Sequence, residues 1–237
     1  MREILDRLVT SRFWTTFKKT YGYRIYYFTV KKPLKRIRDN SQRRKFKKHG
    51  YDVFYEVAGI ARTTDMTIFC AYGTLLGIVR EKKLIDHDYD LDYGILVNSQ
   101  SDFLSLEKIM SERGFVKKRE FRLNGEVKEQ TYNKHGVDID FFGFFNTSDA
   151  NRITYVFFKE EGTEYPHNNY FSAFYSLYKD MEDGVDYETI NGKSIPIPKN
   201  SIKIIEQIYG PNWRVPDKKF KHKLNKLEHQ FGEYIQY

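Results

Sequence analysis

Between Gly73 and Ile95 the chain reads GTLLGIVREKKLIDHDYDLDYGI, and near its end Asp88, Asp90 and Asp92 stand at every second position. Alternate side chains of a strand share a face, so a strand from Asp88 to Val97 would project three carboxylates from one side and Tyr89, Leu91 and Tyr93 from the other. Like charges crowded on one face raise the energy of the folded state unless a cation neutralises them. A solvated outer face of an antiparallel sheet is the other way to carry them. Three features favour the cation. The tyrosines and leucine opposite suit a core, and Asp138 and Asp140 repeat the parity in GVDIDFF. Just upstream, Gly73-Thr74 opens a short helix, whose N-terminal N–H groups can hold an anion. The ligands are oxygen-only and the six histidines are scattered, so Mg²⁺ or Mn²⁺ is expected rather than Zn²⁺. Arg80, two turns along that helix, has the planar fork for a phosphate oxygen, and His87 borders the acidic strand as a candidate substrate contact.

The remaining elements follow from periodicity. Tyr51 to Thr63 reads as a helix after Gly50, with Val53, Phe54, Val57 and Ile60 at helical spacing. TIFCAY, Thr67 to Tyr72, reads as a buried strand carrying Cys70, broken by Gly73. Thr74 is the expected N-cap of a helix to Arg80. Ser101 is expected to cap SDFLSLEKIMSER, which should end at Gly114. Asn124-Gly125 is a type I′ hairpin signal between two strands, and Gly136 to Phe145 is a further strand. Lys218 to Lys226 reads as a solvated helix face, YPHNNY at Tyr165 to Tyr170 as a turn, and Trp213 as a core aromatic. The class is α+β with a mixed or antiparallel sheet.

Charge divides the 237-residue chain unevenly. Residues 1–50 hold 16 Lys and Arg against three Asp and Glu, whereas the remainder holds 24 against 29. This suggests a basic aromatic arm over residues 1–50 and a catalytic body over 51–237. A basic cluster alone suits nucleic acid or anionic glycan, but the interleaved aromatics favour a membrane headgroup layer, so residues 1–48 are expected to address anionic lipid and no nucleic acid. The alternative is that Phe13, Phe17, Tyr26, Tyr27 and Phe28 pack on the body. A single cysteine, no secretory pattern and no long uncharged apolar run suggest a cytoplasmic setting, peripheral to the inner membrane face.

Gly73, Thr74, Leu75, Leu76, Gly77, Arg80, Ile85, Asp88, Asp90 and Asp92 together resemble the first motif of the LicD and fukutin family, within the polymerase-beta-like nucleotidyltransferase superfamily. IDFFG, from Ile139 to Gly143, is similar to the family's Ile-Asp-Ile-Phe-Pro block, and IPIPKNSIKIIEQIYGPNWRVP to its closing block. The likeness covers about Phe54 to Pro216. It departs from the family where Tyr89 replaces a middle aspartate, where Gly143 replaces a proline, and in the extra carboxylate Asp138. The resemblance implies a nucleotidyltransferase-like mixed sheet flanked by helices, and transfer of a phospho-alcohol from a CDP-linked donor to a glycan or lipid-linked glycan, with release of CMP. In that scheme Asp90 and Asp92 hold two metal ions and Asp140, favoured over Asp138, shares a metal and takes the acceptor proton. Asp88 supports them, and Gly73, Thr74 and Arg80 hold phosphates. A nucleotidyltransferase that moves NMP, or a non-catalytic membrane-surface module, are the other readings.

Overall fold

The computed structural model describes residues 25–147, 151–160, 163–217 and 220–237. Its longest element is α1, Lys32–Thr63, preceded by a π-helical turn at Tyr27–Lys31. The helix expected to start at Tyr51 is therefore the second half of a longer one, and Gly50 lies inside it, buried. Lys, Arg and Gln, all good helix formers, carry the first half. The apolar i, i+3, i+4 positions Phe46, Val53, Phe54, Val57, Ile60 and Ala61 bury only the second. Of the arm aromatics, Phe13 and Phe17 lie outside the described residues, while Tyr26, Tyr27 and Phe28 are exposed.

After β1 (Ile68–Cys70) comes α2 (Tyr72–Glu81), then β2 (Asp90–Val97) and α3 (Ser101–Glu112). Cys70 is buried in β1, as expected. Four local expectations need correction. The α2 N-cap is Ala71, and Thr74 lies in the first turn with its hydroxyl turned to β2. Asp88 precedes β2 instead of belonging to it, so Tyr89 is exposed while Leu91 and Tyr93 are fully buried. The cap of α3 is Gln100, Ser101 being its first residue, and Asp102 instead accepts the N–H groups of Asn98 and Ser99. Lys221 to Lys223 form no helix and lead into β10, while residues 218–219 lie outside the described residues. Gly114 after α3 and the Asn124-Gly125 pair (φ 53° and 81°) adopt the left-handed backbone that their sequence signals require.

The strands β3 (Val116–Leu123), β4 (Glu126–Lys134), β5 (Val137–Asn146), β6 (Arg152–Phe158), β7 (Tyr170–Tyr178) and β10 (Asn225–Gln236) join β1 and β2 in one sheet of order β1-β2-β5-β4-β3-β10-β7-β6. The far end of β5 also pairs with β6, so the six strands from β5 round to β6 close into a barrel-like ring. The class is a mixed α+β fold, because β2 and β5 run parallel and the other pairs antiparallel. A separate hairpin, β8 (Val185–Ile190) and β9 (Lys193–Pro198), precedes α4 (Ser201–Tyr209). This strand, helix and Tyr-Gly order is the one expected of the closing block.

The core explains which face of β2 is left for chemistry. Leu91, Tyr93, Ile139, Phe141 and Tyr132 lie under α1, where Tyr93 donates its hydroxyl proton to the Phe54 carbonyl at 3.2 Å. Tyr93 also stacks on Phe141 with centroids 5.6 Å apart. The carboxylates, at the intervening positions, must then face the other way, toward α2 and the cleft beside it.

Candidate active site

Parity places carboxylates on a face; register decides which meet. Because β2 and β5 pair in parallel, Asp90 stands beside Asp138 and Asp92 beside Asp140. Two rows cross the sheet: Asp92, Asp140, Thr131 and Arg119 from β2 to β3, and Asp90, Asp138 and Asn133 from β2 to β4. The two acidic strands are thus neighbours, and basic and hydroxyl partners come from the β3–β4 hairpin.

Those partners divide the carboxylates into two classes. Asp138 receives Lys118 Nζ at 2.8 and 2.9 Å and the Asn133 amide. Asp140, buried, accepts from the Thr131 hydroxyl in a short hydrogen bond and from Arg119 Nη2 at 3.3 Å. Asp88, Asp90 and Asp92 form no salt bridge among the described residues, and they line a cleft of about 900 Å³. Burial pushes the Asp90 carboxyl up to about 7, helped by the charges of Asp140, Asp88 and Asp138. Burial first, then Asp90 and Asp140, raises Asp92 well above the ordinary range. Asp88 is raised by burial, with His87 and Arg80 opposing, and Asp140 is raised by burial against the pull of Arg119 and Thr131. Buried carboxylates that raise one another cost the fold energy, and such perturbed groups in a cleft mark a candidate functional site.

Gly73 and Thr74 are committed to this strand. The Gly73 N–H donates to Asp92 Oδ2 at 3.1 Å, and the Thr74 hydroxyl accepts the Asp92 N–H at 2.9 Å. A Cβ on Gly73 would stand 3.0 Å from Asp88 Oδ2, so glycine allows that carboxylate to approach. The preceding residue, Tyr72, takes a left-handed φ of 40°, a conformation that costs a non-glycine residue about 1 kcal/mol or more. Arg80 also lines the cleft, but it is paired with Glu81 Oε1 at 2.5 Å and reaches the Trp213 carbonyl at 3.4 Å. His87 is on the cleft wall as expected. The cleft is also lined by Tyr72, Tyr209, Trp213, Phe220 and His222, with Tyr209 and Phe220 centroids 4.9 Å apart. Trp213 is buried, as expected, and its indole N–H has no hydrogen-bond partner among the described residues.

The oxygen-only donor set fits a hard divalent cation, with a qualification from geometry. Among the described residues no three His, Cys, Asp or Glu side chains are gathered tightly enough to hold a metal alone. Mg²⁺ commonly binds through one or two carboxylates and completes its shell with water and substrate phosphate, so Asp90 and Asp92 would be enough if such an ion were held here.

A family model described as LicD/FKTN/FKRP, nucleotidyltransferase domain, matches residues 65–200, from just before β1 to the end of the β8–β9 hairpin. The chain belongs to the LicD/FKTN/FKRP family. Membership suggests a transferase with phosphotransferase-like chemistry on glycans. No curated protein matches the chain. The LicD-family match contains both acidic strands and the residues that sequence reasoning did not identify: Lys118, Arg119, Thr131, Asn133 and Glu129. Glu129 is fully enclosed near Asp140, and burial pushes its carboxyl up to about 8. The hairpin that carries these residues was legible from Asn124-Gly125. Their approach to the aspartates depends on the β4–β5 pairing, made by the two-residue turn His135-Gly136 (φ 55° and 80°), a signal that sequence reasoning did not use.

Proposed function

We propose that this protein is a metal-dependent phosphotransferase of nucleotidyltransferase-like fold. It moves a phospho-alcohol of the phosphocholine, phosphoribitol or phosphoglycerol type from a CDP-linked donor to a hydroxyl of a surface glycan, releasing CMP. The observation that carries this reading is the acidic cleft: a diphosphate cannot approach Asp88, Asp90 and Asp92 unless cations lie between. Mg²⁺ or Mn²⁺ held by Asp90 and Asp92, with Asp140 behind them, would supply charge neutralisation for the donor diphosphate and the departing CMP. The aromatic wall of Tyr209, Phe220 and His222 offers faces for the cytosine ring. The acceptor oxygen forms its bond to the phosphorus that carries the alcohol as the bond to the CMP oxygen breaks. The acceptor proton passes to a carboxylate.

The test is a thermal-shift panel of CDP-choline, CDP-glycerol, CDP-ribitol and CTP with and without Mg²⁺, followed by product analysis. One CDP-alcohol should raise the melting temperature only with Mg²⁺, and turnover should release CMP. Pyrophosphate release from CTP would replace this reading with nucleotidyl transfer, and no nucleotide shift would leave a binding module.

We further propose that the exposed first half of α1 lies on an anionic membrane surface at the cytoplasmic face. Leu34 and Ile37 are exposed one turn apart, after the exposed Val30 of the preceding π-helical turn, with Lys32, Lys35, Arg36 and Arg38 beside them. No helix among the described residues is long and apolar enough to cross a membrane. Because Phe46 belongs to the core, a truncation should stop before it. Vesicles with anionic lipid should sediment the full chain, and Leu34→Asp with Ile37→Asp should release it; equal sedimentation of the variant would dismiss the membrane role.

A further inference from the structure

Beside the acidic cleft lies a second one of about 530 Å³, lined in part by Tyr178, Lys179, Lys203, Gln207, His222 and Lys223. Its charge is opposite in sign. Three lysines face one acid, Asp180, whose Oδ2 is taken by Lys203 Nζ at 2.7 Å. Neither Lys179 nor Lys223 forms a salt bridge among the described residues. The backbone at Lys179 is fixed by Gln207, whose Oε1 accepts the Lys179 N–H at 2.9 Å and whose Nε2 donates to its carbonyl at 3.2 Å. Tyr178, also in the lining, is 1% exposed, and its hydroxyl interacts with Tyr72 and Ser176 inside the fold.

The two clefts share one residue, His222. Its ring lies 6.0 Å from Tyr72 and 5.5 Å from Tyr209, both on the acidic cleft, and partial burial among these rings lowers its pKa, which favours the neutral imidazole. One aromatic partition therefore separates an acidic pocket from a basic one.

We propose that the basic cleft binds a phosphate group carried by the acceptor, so that donor and acceptor approach from opposite sides of His222. The proposal rests on the phosphotransferase reading and names the acceptor class for it. A glycan hydroxyl is uncharged, and lysines gain nothing from it. A phosphoryl group offers negative charge and several acceptor oxygens, which match the two ammonium groups of Lys179 and Lys223. The phosphate can belong to a sugar unit or to the diphosphate of an isoprenoid carrier.

The test measures equilibrium binding of inorganic phosphate, glucose 6-phosphate and farnesyl diphosphate to the full chain without Mg²⁺. Calorimetry reads the affinity, and backbone NMR shifts at Lys179 and Lys223 read the place without any variant. Lys179→Ala with Lys223→Ala, both surface changes, should weaken binding roughly tenfold or more, since each charge-assisted contact is worth over 1 kcal/mol. Tighter binding of farnesyl diphosphate assigns the carrier as source, and tighter binding of glucose 6-phosphate assigns the glycan. No binding by the natural chain, or equal binding by the double variant, overturns the proposal. If phosphate binds here while no CDP-alcohol binds with Mg²⁺, the donor reading fails and this site stands; the converse result separates them the other way.

Discussion

Asp90→Asn should stabilise the metal-free protein while abolishing its chemistry. Asp90 is held up at about 7 by burial and by its acidic neighbours, against an ordinary value of 3.8. A folded-state pKa above the unfolded one gives stability that is fully present below about pH 4 and is lost as pH rises through about 7. Asparagine keeps the shape and removes the titration. At pH 8 the variant should therefore melt about 2 °C or more above the natural protein, on the scale of ~2–4 °C per kcal/mol for a chain of this size. At pH 4 the two should coincide. With Mg²⁺ and the CDP-alcohol the order should reverse, because only the natural protein gains ligand stabilisation, and transfer by the variant should fall on the order of 10³-fold. Melting curves at the two pH values and a product assay check it. A variant that melts lower at pH 8 would show that the carboxylate is already compensated in the fold.

Gly77→Ala carries the second large effect, and here the loss is structural. A Cβ at this position would stand 2.6 Å from the Lys83 carbonyl oxygen and 3.0 Å from Ile85 Cγ1. The chain turns back on α2 at this point through a left-handed Lys82 (φ 55°), then runs through Ile85 to Asp88 and Asp90. A backbone oxygen cannot yield as a side-chain end can, so the methyl must push the whole turn away from the helix. Overpacking of this kind costs about 2–3 kcal/mol, or roughly 5–10 °C in melting temperature. The same turn positions Asp88, so donor binding should weaken along with stability. Gly59→Ala is the control: it lies within α1 with nothing within 4 Å of its Cβ, and it should leave melting unchanged or raise it. Calorimetric scans of the two variants side by side separate a helix-propensity effect from the clash.

Much of the site was legible because strand and turn rules are local. The two-residue period of a strand fixes which aspartates share a face, whatever the rest of the chain does. Asn124-Gly125 and Gly114 revealed their turns because left-handed backbone excludes most other residues. Where local rules compete, the sequence reading slipped. Gly50 looked like an end but sits buried inside α1, where Phe46 packs over it with ring atoms 3.3 Å from a built Cβ. Thr74 looked like a cap, yet its hydroxyl is taken by the Asp92 N–H across the fold.

The sequence by itself determined that Asp90 and Asp92 share one face, as do Asp138 and Asp140, and that the opposite face of each strand is apolar. Only the tertiary structure decided that these faces adjoin, because a parallel pairing such as β2–β5 is set by packing between residues nearly fifty positions apart. The β3–β4–β5 hairpins bring Lys118 to Asp138 and Arg119 to Asp140, while Asp88, Asp90 and Asp92, on the other side of the parallel pairing, form no salt bridge among the described residues. Charge pattern is a property of the chain, but charge compensation is a property of the fold, since it depends on which distant strand supplies the neighbour.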